Sequence, residues 1–118
     1  GPDMPLFFSP NMLTFWAGAI LMAEAEPHQS LQLDLSESAD GSIAVMLIAN
    51  SIRSQNVSYE LRTIGASVST HKGSTRLQAN HESTLSTIRF RAGSNWCVSL
   101  SVKEELGSRY TITRGNAC

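Results

Sequence analysis

From Leu31 to Ile112 apolar residues return at every second position, and no proline interrupts them, because all four prolines lie at or before Pro27. A period of two is the spacing of a strand with one buried face, and a proline-free stretch leaves every backbone N–H free to join a ladder. Leu31, Leu33 and Leu35 alternate with Gln32, Asp34 and Ser36, and Ala39-Asp40-Gly41-Ser42 carries a D-G turn signal. Ile43 to Ala49 is a continuous apolar run, the mark of a central strand. Val57, Tyr59, Leu61 and Thr63 form a third alternating run. Thr75, Leu77 and Ala79 form a weaker fourth. The stretch before it, Ala66 to Gly73, is the weakest in the pattern, a loop or a short edge strand, and Arg76 beside it suits an edge. Leu85, Ile88 and Phe90 make a fifth run whose parity slips between Leu85 and Ile88, which predicts a bulge. Trp96, Val98, Leu100 and Val102 make the sixth run, and Tyr110 and Ile112 the seventh. Seven short strands spaced about 8–12 residues apart predict an all-β chain, a seven-stranded immunoglobulin-like β-sandwich.

The first residues differ in kind. Gly1-Pro2-Asp3 ahead of Met4 has the look of a vector scar, and residues 4–25 are expected to be a signal peptide or apolar leader. Met12 to Ala23 is almost wholly apolar, too short for a comfortable membrane span, and Ala23-Glu24-Ala25 is a small-x-small cleavage triplet. No Lys or Arg precedes the apolar run, a departure from the usual pattern. Residues 28–118 then form one β-sandwich domain, the amount of chain that suits a single core. This part keeps all nine basic residues and seven of the ten acidic ones, a net charge of +2. A balance so near neutral argues against a nucleic-acid partner or a polybasic membrane patch.

Motifs for chemistry are sparse. His28, His71 and His81 have no metal-ligand spacing, and no nucleophile elbow, dinucleotide fingerprint or phosphate loop occurs, so neither a metal nor a cofactor is expected, and the chain does not read as an enzyme. Glu104-Glu105 reads as the solvated tip of a hairpin. Asn56-Val57-Ser58 is a formal glycosylation sequon. A hairpin folded around Glu105 to Ser108 brings Cys97 near residues 116–118, which makes a Cys97–Cys118 disulfide geometrically possible, the alternative being two unpaired thiols.

One basic constellation stands out. Arg89 and Arg91 flank Phe90 and leave their strand on the side away from it, with Arg62 and Lys103 as candidate neighbours. These four cations either keep a strand soluble or form a surface that meets an unfolded polar client.

The strand order and spacing resemble the small periplasmic curli-assembly chaperones (the Csg C/H type), in particular those of alphaproteobacteria. The residues that carry the likeness are VSYELRTIGAS with Tyr59 and Gly65, KGSTRLQAN, and LSTIRFRAGSNWCVSLSV, where Gly93 precedes Trp96 at the opening of the sixth strand. Two departures exist. Leu31 and Leu33 stand in a first strand where relatives carry a cysteine, and there is no C-x-C motif, which removes support for a redox role. The resemblance implies a periplasmic monomer without enzymatic activity and off the membrane in its mature form. It would restrain premature amyloid polymerisation of the curli subunit, an unfolded client whose polar repeats stack as cross-β. The competing expectation is a structural or adhesive immunoglobulin-like module of a bacterial surface assembly.

Overall fold

The computed structural model describes residues 28–118, so the expected scar and leader lie outside the described residues. Among the described residues the alternation becomes seven strands: β1 (Leu31–Glu37), β2 (Ser42–Ala49), β3 (Gln55–Ile64), β4 (Val68–Leu77), β5 (Ser83–Arg91), β6 (Cys97–Glu104) and β7 (Arg109–Gly115). They form two antiparallel sheets, a three-stranded one ordered β1-β2-β5 and a four-stranded one ordered β4-β3-β6-β7. The inward rows of both sheets meet in one cluster, with Leu31, Val45 and Leu47 from the first and Leu61, Val98 and Leu100 from the second fully buried. Burying each leucine contributes about 2 kcal/mol.

Local chemistry sets the connections. In the β1–β2 hairpin Gly41 sits at φ +86°, where a side chain would be strained, and the Ser42 N–H donates to Asp40 Oδ1 at 3.0 Å. The continuous apolar run is β2, central in its sheet as its sequence requires. The parity slip in the fifth run is a real bulge: Leu47 faces Ser86 and Ile48 faces Thr84, so Leu85 has no partner across the ladder. The β3–β4 hairpin leans on the end of β5, where a Cβ on Gly65 would lie 2.5 Å from Arg91 O.

The segment left between loop and short edge strand is an edge strand but not a short one, merging with the fourth run, whose Ala79 lies beyond its end. Residues 68–77 form a ten-residue edge strand in unbroken register with β3. Its weak pattern has a structural cause. The four-stranded sheet is one strand wider than the sheet it faces, so β4 overhangs, and only Leu77 of its ten residues is buried. An overhanging strand has little inner surface to bury and little need for alternation. Gly73 makes room in it for the ring of Tyr59, its direct partner on β3, since a Cβ there would lie 2.5 Å from Tyr59 Cζ.

At the C-terminus a Cys97–Cys118 disulfide with a Cα–Cα distance of 5.1 Å ties the tail to the start of β6. Asn116 reinforces it: its Oδ1 accepts from the Trp96 N–H at 2.9 Å and its Nδ2 donates to Ser94 O at 2.9 Å. A native oxidised sample is expected to take up no thiol-alkylating reagent. Reduction should destabilise the fold by about 3 kcal/mol, the loop-closure value for a ring of this size, as read from denaturant unfolding with and without reductant.

Candidate functional site

Two arrangements of polar groups go beyond what a two-sheet core requires. The first is buried. Val98, Leu100, Val102 and Glu104 share the inward parity of β6, so Glu104 is carried into the protein and is 4% exposed. The expectation of a solvated acidic tip is corrected here: it holds for Glu105, whose Oε1 accepts from the Asn56 N–H at 2.8 Å at the surface, and fails for Glu104. Strand parity overrides the preference of a charged residue for water, because the last residue of a regular strand points where its row points.

Among the described residues the partners of Glu104 are neutral donors. Oε1 accepts from Ser30 Oγ at 3.0 Å and Gln55 Nε2 at 3.1 Å. Oε2 accepts from the Ser30 N–H at 2.9 Å and Tyr110 OH at 2.5 Å. Tyr110 OH also accepts from the Leu31 N–H at 3.1 Å, and Gln55 reaches Ser51 Oγ at 3.0 Å and takes the Leu106 N–H on its Oε1 at 3.2 Å. Every polar atom of the cluster is matched, as burial requires. The network joins the residue before β1 to β3, β6 and β7, so it pins one sheet to the other along the β1–β7 side.

Burial pushes the Tyr110 hydroxyl well above its ordinary value of 10.0, and its hydrogen bond to the Glu104 carboxylate pushes it further. The neutral phenol is the form that the folded state favours. As pH rises past 10 the unfolded chain loses this proton and the folded chain keeps it, so the folded state loses stability. Alkaline unfolding should therefore show a fall in stability above pH 10 that is reduced in Tyr110→Phe. Glu104→Ala should lower stability by roughly 3 kcal/mol or more, because it strands several buried donors at about 1–3 kcal/mol each. Chemical denaturation of both variants checks the two expectations.

The second arrangement is on the surface. The four cations singled out from sequence are not neighbours. Arg89 and Arg91 stand on β5 of the three-stranded sheet, whereas Arg62 and Lys103 stand on β3 and β6 of the four-stranded one. All four are exposed. Arg89 Nη1 donates to Ser38 Oγ at 2.9 Å, and Arg91 lies close enough to Asp40 to help hold its carboxyl below the usual range, after the larger effect of the Ser42 N–H and hydroxyl. Around the other pair the register adds cations that sequence reading missed. Lys103 has Ser58 on one side and Arg109 on the other, Lys72 stands beside Glu60, and Arg62 lies between Thr70 and Ser99. Only cross-strand register reveals this grouping, since Arg62, Lys72, Lys103 and Arg109 are scattered over 48 positions of sequence. Ser58, Ser74, Ser101 and Thr111 line a shallow trough of about 820 Å³ together with three cations, Lys72, Lys103 and Arg109, and one carboxylate, Glu60. Such a surface is polar, positive and open, fitted to an extended backbone and not to an enclosed small molecule.

No group of three or more His, Cys, Asp or Glu stands ready to hold a metal ion among the described residues. His28 Nε2 lies 2.8 Å from Asn50 O, His71 is exposed on β4, and His81 follows that strand.

Against known proteins, no family model matches the sequence, and no curated protein matches it. Solved structures do. The E. coli curli protein CsgC superposes with a TM-score of 0.54 at 11% identity, over 71% of this chain and 95% of that one. The chain shares the fold of this curli protein. R. palustris CsgH aligns at 16% identity with a TM-score of 0.43, over 71% of this chain and 86% of its own. A β-glucuronidase of Parabacteroides merdae aligns over 13% of its length with a TM-score of 0.39.

Proposed function

We propose that this chain is a periplasmic chaperone of the curli system that restrains amyloid polymerisation of the curli subunit before its secretion, acting as a monomer and without catalysis. The observation that carries this reading is the fold shared with E. coli CsgC across nearly the whole of that protein. The sheet orders fit an immunoglobulin-like sandwich in which the fourth strand joins the second sheet, with β1-β2-β5 as A-B-E and β3-β6-β7 as C-F-G.

The surface chemistry supports the same reading. A client that forms cross-β is dangerous through its backbone, so a protein that restrains it has no need of a deep apolar groove. It needs contacts that form quickly and release easily. Exposed cations on a serine- and threonine-rich sheet supply them, because such contacts steer encounter and each contributes little. The four-stranded face carries four cations, Arg62, Lys72, Lys103 and Arg109, around the single carboxylate Glu60, so it is the stronger candidate for client contact than the β5 pair, which has Asp40 nearby.

Thioflavin fluorescence of a purified curli subunit tests this. The unmodified protein should prolong the lag phase, and less so as salt rises, since contacts between exposed charges are screened over about 8–10 Å at 0.1–0.15 M salt. Arg62→Glu with Lys103→Glu should weaken the effect more than Arg89→Glu with Arg91→Glu, both with unchanged circular dichroism. No effect of the unmodified protein at any salt concentration overturns the chaperone reading and favours the structural or adhesive module.

A further inference from the structure

Each sheet has two edges, and the four differ in how far they are protected. On one side β1 and β7 are tied together through Tyr110 OH and the Leu31 N–H. Strand β7 runs into the disulfide-bound tail, and β5 is interrupted by its bulge at Leu85. Strand β4 is different. It runs ten residues without a bulge or a proline, it overhangs the opposite sheet, and its cations lie on the outer face and do not point inward. Of the usual devices that stop another strand from pairing, β4 has only its outward cations, Lys72 and Arg76; a bulge, a proline and an inward-pointing charge are missing.

The ladder phase shows which backbone groups β4 offers. The Gly65 N–H donates to Ser67 O at 2.9 Å, and the Glu105 N–H donates to Asn56 O at 2.9 Å. These bonds make Ile64–Val68 and Val57–Glu104 non-hydrogen-bonded pairs, and both give β3 the same phase. By the alternation of an antiparallel ladder, Ser69, His71, Gly73 and Thr75 bond to β3. Val68, Thr70, Lys72, Ser74 and Arg76 turn their N–H and C=O groups away from it.

We propose that the outer edge of β4 captures an extended, cation-poor polar segment of the amyloid client by strand addition, extending the four-stranded sheet to five. The proposal rests on the chaperone reading and names the site at which it acts. Charge selects the occupant. Strand β4 carries Lys72 and Arg76 and no carboxylate of its own; Glu60 stands opposite Lys72 and Glu105 lies 4.0 Å from Arg76, both on the side away from the open edge, so pairing with a second copy would still gather four cations at the new seam, whereas a neutral or acidic strand meets no such penalty. Capture covers one of the client strand's two edges with a domain that offers no further repeat, so stacking can no longer proceed in that direction.

The test leaves charge untouched. Ser74→Pro removes an N–H that points away from β3, so no bond of the β3–β4 ladder is lost, and the preceding Gly73 tolerates the restriction that a proline imposes. Thr70→Pro removes another outward N–H two steps along the same row. With folding confirmed by circular dichroism, each variant should prolong the lag phase of a purified curli subunit roughly tenfold less than the unmodified protein at equal concentration, the scale set by losing one or two backbone hydrogen bonds. Hydrogen exchange on the unmodified protein needs no variant: the amides of Thr70, Lys72 and Ser74 should exchange freely alone and gain protection when the subunit is added. Full inhibition by both folded proline variants, or unchanged exchange at those amides while inhibition persists, overturns edge capture and leaves the chaperone reading standing. A dimer in sedimentation that Ser74→Pro converts to monomer assigns the edge to a second copy and overturns the proposal. Absence of inhibition by the unmodified protein removes both.

Discussion

A carboxylate buried among neutral donors holds this protein's two sheets in place. Glu104 leaves water at the end of β6 and recovers its solvation from four hydrogen bonds, two from Ser30 and one each from Gln55 and Tyr110. A buried charge is costly unless fully hydrogen-bonded, so the groups around it are held to one geometry. Because those groups come from the start of β1 and from β3 and β7, that requirement fixes how the three-stranded sheet sits on the four-stranded one. Apolar packing alone is less demanding, since leucines and valines tolerate small slides between sheets that a hydrogen-bond network does not.

The position of that network makes the molecule asymmetric. On the β1–β7 side the sheets are pinned, with Tyr110 bridging Leu31 and Glu104. On the other side the wider sheet overhangs, and β4 exposes its whole outer row while its inner row is only half-buried at Ser69, Gly73 and Thr75 and buried at Leu77 alone. Its neighbour β3 is anchored by Val57, Leu61 and Thr63 in the core, so β4 is held straight by ten backbone pairings with little burial of its own. The cations Lys72, Arg62, Lys103 and Arg109 spread across the same sheet from that edge. Surface charge and open backbone therefore lie on one sheet, and a transient partner can be attracted by the first and paired by the second.

The likeness to E. coli CsgC rests on shape at 11% identity, and the reason is visible in the chain. The core of such a fold needs alternating apolar residues of the right size in the right order, and many sequences satisfy that. The residues that do more than fill space here, Ser30, Gln55, Glu104 and Tyr110, are polar and lie 25, 49 and 6 positions apart in sequence, so they form no motif.

Sequence by itself determined what depends on near neighbours. The alternating runs yielded six of the seven strands and the end of the fourth, the D-G dipeptide the first hairpin, and the parity slip the bulge at Leu85. Spacing made the Cys97–Cys118 bridge possible, and the sixth run already held the clue to Glu104, whose parity matches Val98, Leu100 and Val102. Tertiary structure alone decided the rest. Which sheet each cation joins depends on pairing between strands distant in the chain, and so Arg89 and Arg91 were parted from Arg62 and Lys103. Strand β4 was faint because hydrophobic alternation reports burial, and an edge that overhangs its partner sheet buries almost nothing.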